Sequence, residues 1–343
     1  MNYPPVSVII PCRNEEKFIE GCLDSIAASD YPKDNLEVLV IDGMSGDATR
    51  DIIRRCIQRS PFIKLLDNPK RITPCALNTG IRHAKGEIIV RMDAHARYER
   101  DYISKCVRYL NEYDADNVGG TMITLPRDNT VVGKAIVTAL SHRFGVGNSA
   151  FRTGAKGPKW VDTVFGGCYR REIFERIGLF NEELVCSQDM EFNKRLKREG
   201  GRILLVPEII SYYHARSDFK SFVRHNFRNG VWAIVPFIYT DAMPVSLRHI
   251  IPVFFVAGLF GSAALSFYSM PFLWLFYMIG VPYFLANLYF SGAIAVERLD
   301  FRYALLMPVV FASLHIPYGL GSVKGLLRTM VSRRFWRNRF SGK

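Results

Sequence analysis

Hydrophobic positions in the first ninety residues switch between two periods. Short apolar runs at Val6 to Ile10, Leu36 to Ile41, Ile63 to Leu66 and Glu87 to Met92 have the length and β-branched content of strands. Between them the period lengthens to that of a helix. Glu15 to Ser29 sets Phe18, Ile19, Cys22, Leu23 and Ile26 on one face. Asp47 to Arg59 does the same with Ile52, Ile53, Cys56 and Ile57, and Pro74 to Ala84 is opened by Thr73-Pro74. Alternating strand and helix predicts an α/β domain, its sheet mostly parallel with helices on both faces.

The pattern is less regular further along. Residues 145 to 158 hold four glycines and read as a mobile loop. A short helix is expected from Arg171 to Ile177, stopped by Gly178, and another opens at Ser187 and ends at Gly200-Gly201. Ile203 to Val206 reads as a strand ended by Pro207. Phe219 to Val235 is an amphipathic helix with Arg224 and Arg228 on a neighbouring face.

After this the pattern stops alternating. No Asp, Glu, Lys, Arg or His occurs from Ile250 to Val296, about twice the ~20 residues that cross a bilayer. Ile250 to Tyr268 and Phe272 to Val296 make a hairpin of two spans around Pro271. A third apolar run, Tyr303 to Val323, carries Pro308, Pro317, Gly319 and Gly321. It reads as a full span or as a broken, re-entrant segment. The second option is favoured because it leaves the basic tail inside. The expected division is 1–217 for the α/β domain, 218–249 for interfacial helices, 250–323 for the membrane region and 324–343 for a basic tail.

Charge sharpens the membrane reading. The net charge is +13, and Lys324, Arg328, Arg333, Arg334, Arg337, Arg339 and Lys343 form an acid-free tail with Phe335 and Trp336 among them. Beside apolar spans this is a cytoplasmic-face anchor for anionic lipid rather than a nucleic-acid surface. Met1 to Pro5 lacks a basic n-region and the first apolar run has only five residues, so no signal peptide is expected and the N-terminal part is expected in the cytoplasm. All seven cysteines precede the apolar region without a Cys-x-x-Cys pair, which predicts buried free thiols.

The candidate chemistry lies where strands end, since ligands of such sheets bind beyond the C-terminal ends of the strands. Glu15 follows the first strand, Asp42 the second and Asp93 the fourth. Asp93-Ala-His95 offers an oxygen and a nitrogen donor one residue apart, on the same side if the chain stays extended. No Gly-x-Gly-x-x-Gly follows the first strand, which disfavours a dinucleotide dehydrogenase. Asp189 sits in a helix's first turn, where the helix dipole favours a carboxylate.

In this order the motifs resemble those of the inverting family 2 glycosyltransferases with a GT-A fold, and more closely the membrane-anchored succinoglycan-biosynthesis type. The resemblance covers residues 5 to 235. It implies that Pro11, Arg13 and Glu15 of Pro11-Cys-Arg-Asn-Glu15, together with Asp42, hold the nucleoside. Asp93-Ala-His95 occupies the Asp-x-Asp position, with Asp93 contacting the nucleotide and both residues binding Mn²⁺ or Mg²⁺. Gly166 and Gly167 line the acceptor pocket. Gln188-Asp189 matches a Glu-Asp pair whose Asp is the catalytic base. His225 and Arg228 stand in the Gln-x-x-Arg-Trp/Tyr segment on the acceptor and diphosphate side. Arg71 and Arg97 are further candidates for the diphosphate, because guanidinium forks suit phosphate oxygens.

His95, Gln188, His225 and Asn229 depart from the family pattern, the last two weakening any case for a processive polymerase. The activity implied is metal-dependent transfer from a nucleoside-diphosphate sugar, UDP-linked, to a polyprenyl-linked lipid acceptor at the cell membrane. A polyprenyl-phosphate sugar synthase is the runner-up, and an inactive nucleotide-sugar-binding scaffold is the non-enzyme alternative. An oligomer or a biosynthetic complex is compatible with the sequence.

Overall fold

The computed structural model describes residues 3–240 and 249–340, without the side chains of 338–340. Residues 241–248 of the expected interfacial segment lie outside the described residues, as do Lys343 and the Arg339 side chain. The strands are β1 (Val6–Cys12), β2 (Leu36–Asp42), β3 (Ile63–Asp67), β4 (Ile88–Arg91), β5 (Ala96–Tyr98), β6 (Asn117–Pro126), β7 (Lys159–Trp160), β8 (Cys168–Arg170) and β9 (Ile203–Ala215). The helices of the first half are α1 (Ile19–Ala27), α2 (Thr49–Arg59), α3 (Thr73–His83), α4 (Tyr102–Glu112), α5 (Val131–Ser141), α6 (Arg143–Val146) and α7 (Ala150–Thr153). Those of the second half are α8 (Glu172–Arg176), α9 (Gln188–Arg198), α10 (Phe219–Ile234), α11 (Ile251–Leu265), α12 (Met270–Arg298), α13 (Arg302–Met330) and α14 (Arg333–Phe340).

The chain divides into two compact units, Met1–Ile123 with Ala150–His214, and Thr124–Ser149 with Ala215–Lys343. In the first unit both faces of β1, β2 and β4 are buried, which is why they read as apolar runs, while β3 is an edge strand with Lys64 exposed. Val6, Val8 and Ile10 pack with Ile19 and Leu23 of α1, Ile53 of α2 and Ile103 and Leu110 of α4. Ile9, Leu39 and Ile41 face the other way, toward Leu77 and Ile81 of α3, Ile173 of α8 and Phe192 of α9. The sheet order is β3-β2-β1-β4-β8-β6-β9-β5, with β7 also on β9.

The α/β class stands, and β3, β2, β1 and β4 pair in parallel. From β4 onward the pairs β4–β8, β6–β8, β5–β9 and β7–β9 are antiparallel. In the parallel part Cys12 lies beside Asp42 and Asp42 beside Asp67, so the strand ends are level. The structure adds β5, α4, β6 and α5, for which the pattern assigned nothing.

Three expectations of the irregular region are corrected. β9 continues through Pro207, because Pro207 falls between the part paired with β7 (Leu204, Leu205) and the part paired with β5 (Ser211–Tyr213). Its missing N–H interrupts neither ladder. The stretch read as a mobile loop carries α7, with Ala150, Phe151 and Ala155 against the core. Segment 124–149, expected inside the first domain, groups with the second unit because Ala135, Ile136 and Ala139 of α5 pack on Phe222, Met307, Val310 and Phe311.

The second unit is helical. α12 and α13 each have 29 residues, about 44 Å at 1.5 Å per residue, against a bilayer core of ~30 Å. α11 has 15 residues, about 22 Å, and is short of the full first span expected there. α13 is continuous through Pro308 and Pro317, so the expected break is absent. The glycines read as interruptions serve close packing instead. A Cβ at Gly321 would lie 2.0 Å from the Phe227 carbonyl oxygen, so only glycine lets α10 approach α13 this closely. Phe254, Trp274, Met278, Tyr289 and Leu305 on α11–α13 are exposed, unlike the side chains of a soluble core.

Candidate active site

All the strand-end acids belong to the first unit, and each is held differently. Asp42, the last residue of β2, is fully buried. One of its oxygens accepts from the Ser45 hydroxyl, and the other from the Ser45 N–H at 3.0 Å and Arg50 Nη1 at 2.6 Å. Arg50 also pairs with Asp67 at 2.8 Å. Asp42 thus fixes the turn that follows β2 and presents no free carboxylate face. Pro11 lies in β1. Arg13 is exposed, its aliphatic stem against Gly43. Asn14 has φ +54, and its N–H donates to the Ser45 hydroxyl at 2.8 Å.

Asp93 and His95 do not lie on an extended chain. The Ala96 N–H donates to the Asp93 carbonyl at 3.1 Å, and the Asp93 N–H to the Tyr98 hydroxyl at 2.7 Å, so residues 93–96 form a turn. The period-two argument for their placement is therefore corrected. The two side chains have separate partners: His95 Nδ1 is 3.1 Å from Glu15 Oε1, and Asp93 Oδ1 is 3.3 Å from Arg91 Nη2.

Arg91, the last residue of β4, organises the site and was given no role from the sequence. Its other terminal nitrogen, Nη1, pairs with Asp189 Oδ1. Burial works against the guanidinium charge, but Asp189 and Asp93 more than offset it, and Arg91 holds its proton more tightly than an ordinary arginine. Arg91 Nε and Gln188 Oε1 are buried and without a hydrogen-bond partner. The available signal was Arg91 itself: an arginine inside a run of buried strand residues requires an acid from elsewhere.

Asp189 lies in the first turn of α9 behind Ser187, whose φ is +64. Its side chain is 33% exposed, against 0% for Asp42, so one face of it stays open. Gly166 (φ +68) and Gly167 pack on the end of β4. The Arg91 N–H donates to the Gly167 carbonyl at 2.9 Å, and a Cβ at Gly166 would lie 2.7 Å from the Arg91 carbonyl oxygen.

Arg71 has φ +59 and an exposed side chain before α3. Arg97 rests on α1 over Gly21. His225 and Arg228 are on α10 in the second unit, where Arg228 Nη2 is 3.5 Å from His225 Nδ1. Six of the cysteines are buried and Cys186 is partly buried, all as free thiols.

Among the described residues, no three His, Cys, Asp or Glu side chains are grouped to hold a metal by themselves. Asp93 and His95 supply two donors, with Asp93 Oδ2 and His95 Nε2 outside the contacts above. An oxygen and a nitrogen donor are of the types that a divalent cation accepts.

Residues 7–178 match the sequence profile of glycosyl transferase family 2. The chain belongs to this family. The glycosyltransferase is 33% identical over 239 residues to the dolichyl N-acetyl-alpha-D-glucosaminyl phosphate 3-beta-D-2,3-diacetamido-2,3-dideoxy-beta-D-glucuronosyltransferase of Methanococcus voltae, covering 67% of this chain and 72% of that one. It is 32% identical over 257 residues to the succinoglycan biosynthesis protein ExoA of Rhizobium meliloti, covering 74% and 76%. A mannosyltransferase from Pyrobaculum calidifontis, solved with GDP-Man and Mn²⁺, superposes with a TM-score of 0.58 at 23% identity over 96% of this chain and 88% of that one. That likeness shows the GT-A fold.

Proposed function

We propose that this glycosyltransferase moves a sugar from a nucleoside-diphosphate donor, UDP-linked, to a lipid-linked acceptor with inversion at the anomeric carbon. One observation carries the reading. Asp93 and Asp189, distant in sequence, meet on the two terminal nitrogens of the buried Arg91. A donor-side acid and an acceptor-side acid therefore belong to one site.

Asp189 acts as the general base. It takes the acceptor hydroxyl's proton as that oxygen bonds to C1 of the sugar, while the bond from C1 to the diphosphate breaks on the opposite side. Arg91 pairs with Asp189 and keeps it aimed. Asp93 and His95 would hold a divalent cation, Mn²⁺ or Mg²⁺, which supplies Lewis-acid neutralisation of the leaving diphosphate. Arg13 and the Asp42–Ser45 turn form the nucleoside side. Arg71 serves the diphosphate.

The relative from Methanococcus voltae is named for a dolichyl-linked sugar phosphate and a β-linked product, which supports a lipid-linked acceptor already carrying a sugar. Two helices long and apolar enough to span a bilayer support a multi-pass enzyme of the cell membrane, its catalytic unit on the cytoplasmic side. The test is a screen of UDP- and GDP-sugars against polyprenyl phosphate and polyprenyl diphosphate sugars, reading product mass. One added sugar on the diphosphate sugars, abolished by EDTA and restored by Mn²⁺ or Mg²⁺, is expected. Transfer to bare polyprenyl phosphate alone would assign the enzyme to synthases of the first lipid-linked sugar, and indifference to chelation would remove the metal.

A further inference from the structure

His95 and Glu15 are 80 residues apart, yet each is fixed at its backbone before their side chains meet. The Glu15 N–H donates to Thr49 Oγ1 at 2.8 Å, and its carbonyl accepts from the Phe18 and Ile19 N–H groups at 2.9 Å. The His95 carbonyl accepts from the His214 N–H at 3.3 Å, and the ring stands edge-on to Tyr213 with centroids 5.0 Å apart. Both side chains are mostly buried, 18% exposed for Glu15 and 24% for His95.

An ionised carboxylate only accepts hydrogen bonds, so Nδ1 is the donor in the 3.1 Å contact. In the neutral ring the lone pair is then on Nε2, the tautomer a metal ligand needs. Metal-bound histidines are commonly oriented this way, by a carboxylate on the other ring nitrogen. Glu15, which the family resemblance assigns to the nucleoside, is thus turned to another partner here.

We propose that Glu15 is the positioning carboxylate of His95, fixing its ring so that Nε2 is the nitrogen donor to the divalent cation. The inference rests on the metal-dependent reading above. It accounts for histidine standing in an acidic motif: the motif's second carboxylate is moved back behind the imidazole. An imidazole donor also tilts the site toward Mn²⁺ over Mg²⁺.

The test uses the full chain in detergent with UDP or GDP, whichever the wild type binds more tightly. Mn²⁺ affinity is read by electron paramagnetic resonance, and nucleotide affinity is read separately without metal. Glu15→Gln is expected to weaken Mn²⁺ binding roughly 10- to 100-fold and to leave metal-free nucleotide binding unchanged. In a His95→Ala background Glu15→Gln should add no further loss. Unchanged Mn²⁺ affinity in Glu15→Gln, additive losses in the double variant, or an equal loss of metal-free nucleotide binding would overturn the proposal. A wild type that transfers sugar without binding Mn²⁺ would instead overturn the metal reading beneath it.

Discussion

On the parallel side of the sheet, Asp42 is fully buried between Ser45 and Arg50, and Glu15 is tied through Thr49 and set against His95. On the other side, between β8 and β9, Asp189 stands a third exposed at a helix start, with one strong partner. The difference fits the chemistry proposed for each side. A nucleotide and its cation need a preorganised cradle, and acids fixed by several partners provide one. A general base must exchange a proton with a substrate that comes and goes, and so must keep one face open. Arg91 spans the two sides, with Asp93 on one terminal nitrogen and Asp189 on the other.

The comparison is broken most strongly at the open side. Asp189→Asn should keep the local shape and lose about 10²- to 10⁴-fold in kcat, with donor affinity unchanged in a nucleotide-binding titration. Arg91→Ala removes the link itself. The loss of a buried ion-pair partner should cost about 3 kcal/mol in denaturant unfolding, the low end of the usual range because both acids keep some exposure. Its kcat should fall as well, and Arg91→Lys should recover only part, since a point charge cannot replace a fork. In a double-variant cycle, Arg91→Ala and Asp189→Asn should be non-additive in kcat; additive losses would mean that the guanidinium does not serve the base.

Gly166→Ala tests the seam with β4. A positive φ and a 2.7 Å approach to the Arg91 carbonyl should cost about 1–3 kcal/mol of stability, read by thermal unfolding. The smallest effect belongs to an acid outside the site. Glu182 accepts from Lys70 at 2.7 Å and Asn78 at 3.0 Å, which hold its pKa down at about 2. Glu182→Gln should cost about 1 kcal/mol at neutral pH. A depressed carboxylate stabilises the fold above its ordinary pKa and loses that contribution as pH falls through its folded value. The difference from wild type in urea unfolding should therefore shrink as pH drops from about 4.5 toward about 2.

The same two sides differ in how far they could be read from sequence. β1, β2 and β4 are buried on both faces, and β1, β2 and β3 each lead straight to a helix, so local periodicity and spacing located the strands and the acids at their ends. β8, β6, β9 and β5 are short or antiparallel and pair across long separations, as Val90 does with Cys168 and Ala96 with Tyr213. No local pattern encodes such pairing. Pro207 read as a stop because its tolerance depends on which neighbours β9 has at that point. Asp189 was placed at a helix start by the local pattern, but its role as base came only from family resemblance. Its partner Arg91 stood in plain view but needed the fold to bring an acid to it. The glycines of α13 looked like breaks until α11 packed on Gly319 and α10 on Gly321.

The central claim is a single displacement at C1, with Asp189 as the base and Asp93 on the leaving-group side. The measurement that meets it most directly is the anomeric configuration of the product formed from an α-linked nucleotide sugar, read by NMR after one turnover. A β-linked product that disappears in Asp189→Asn is predicted. An α-linked product, or a β-linked product made at near-normal rate by Asp189→Asn, would contradict the account.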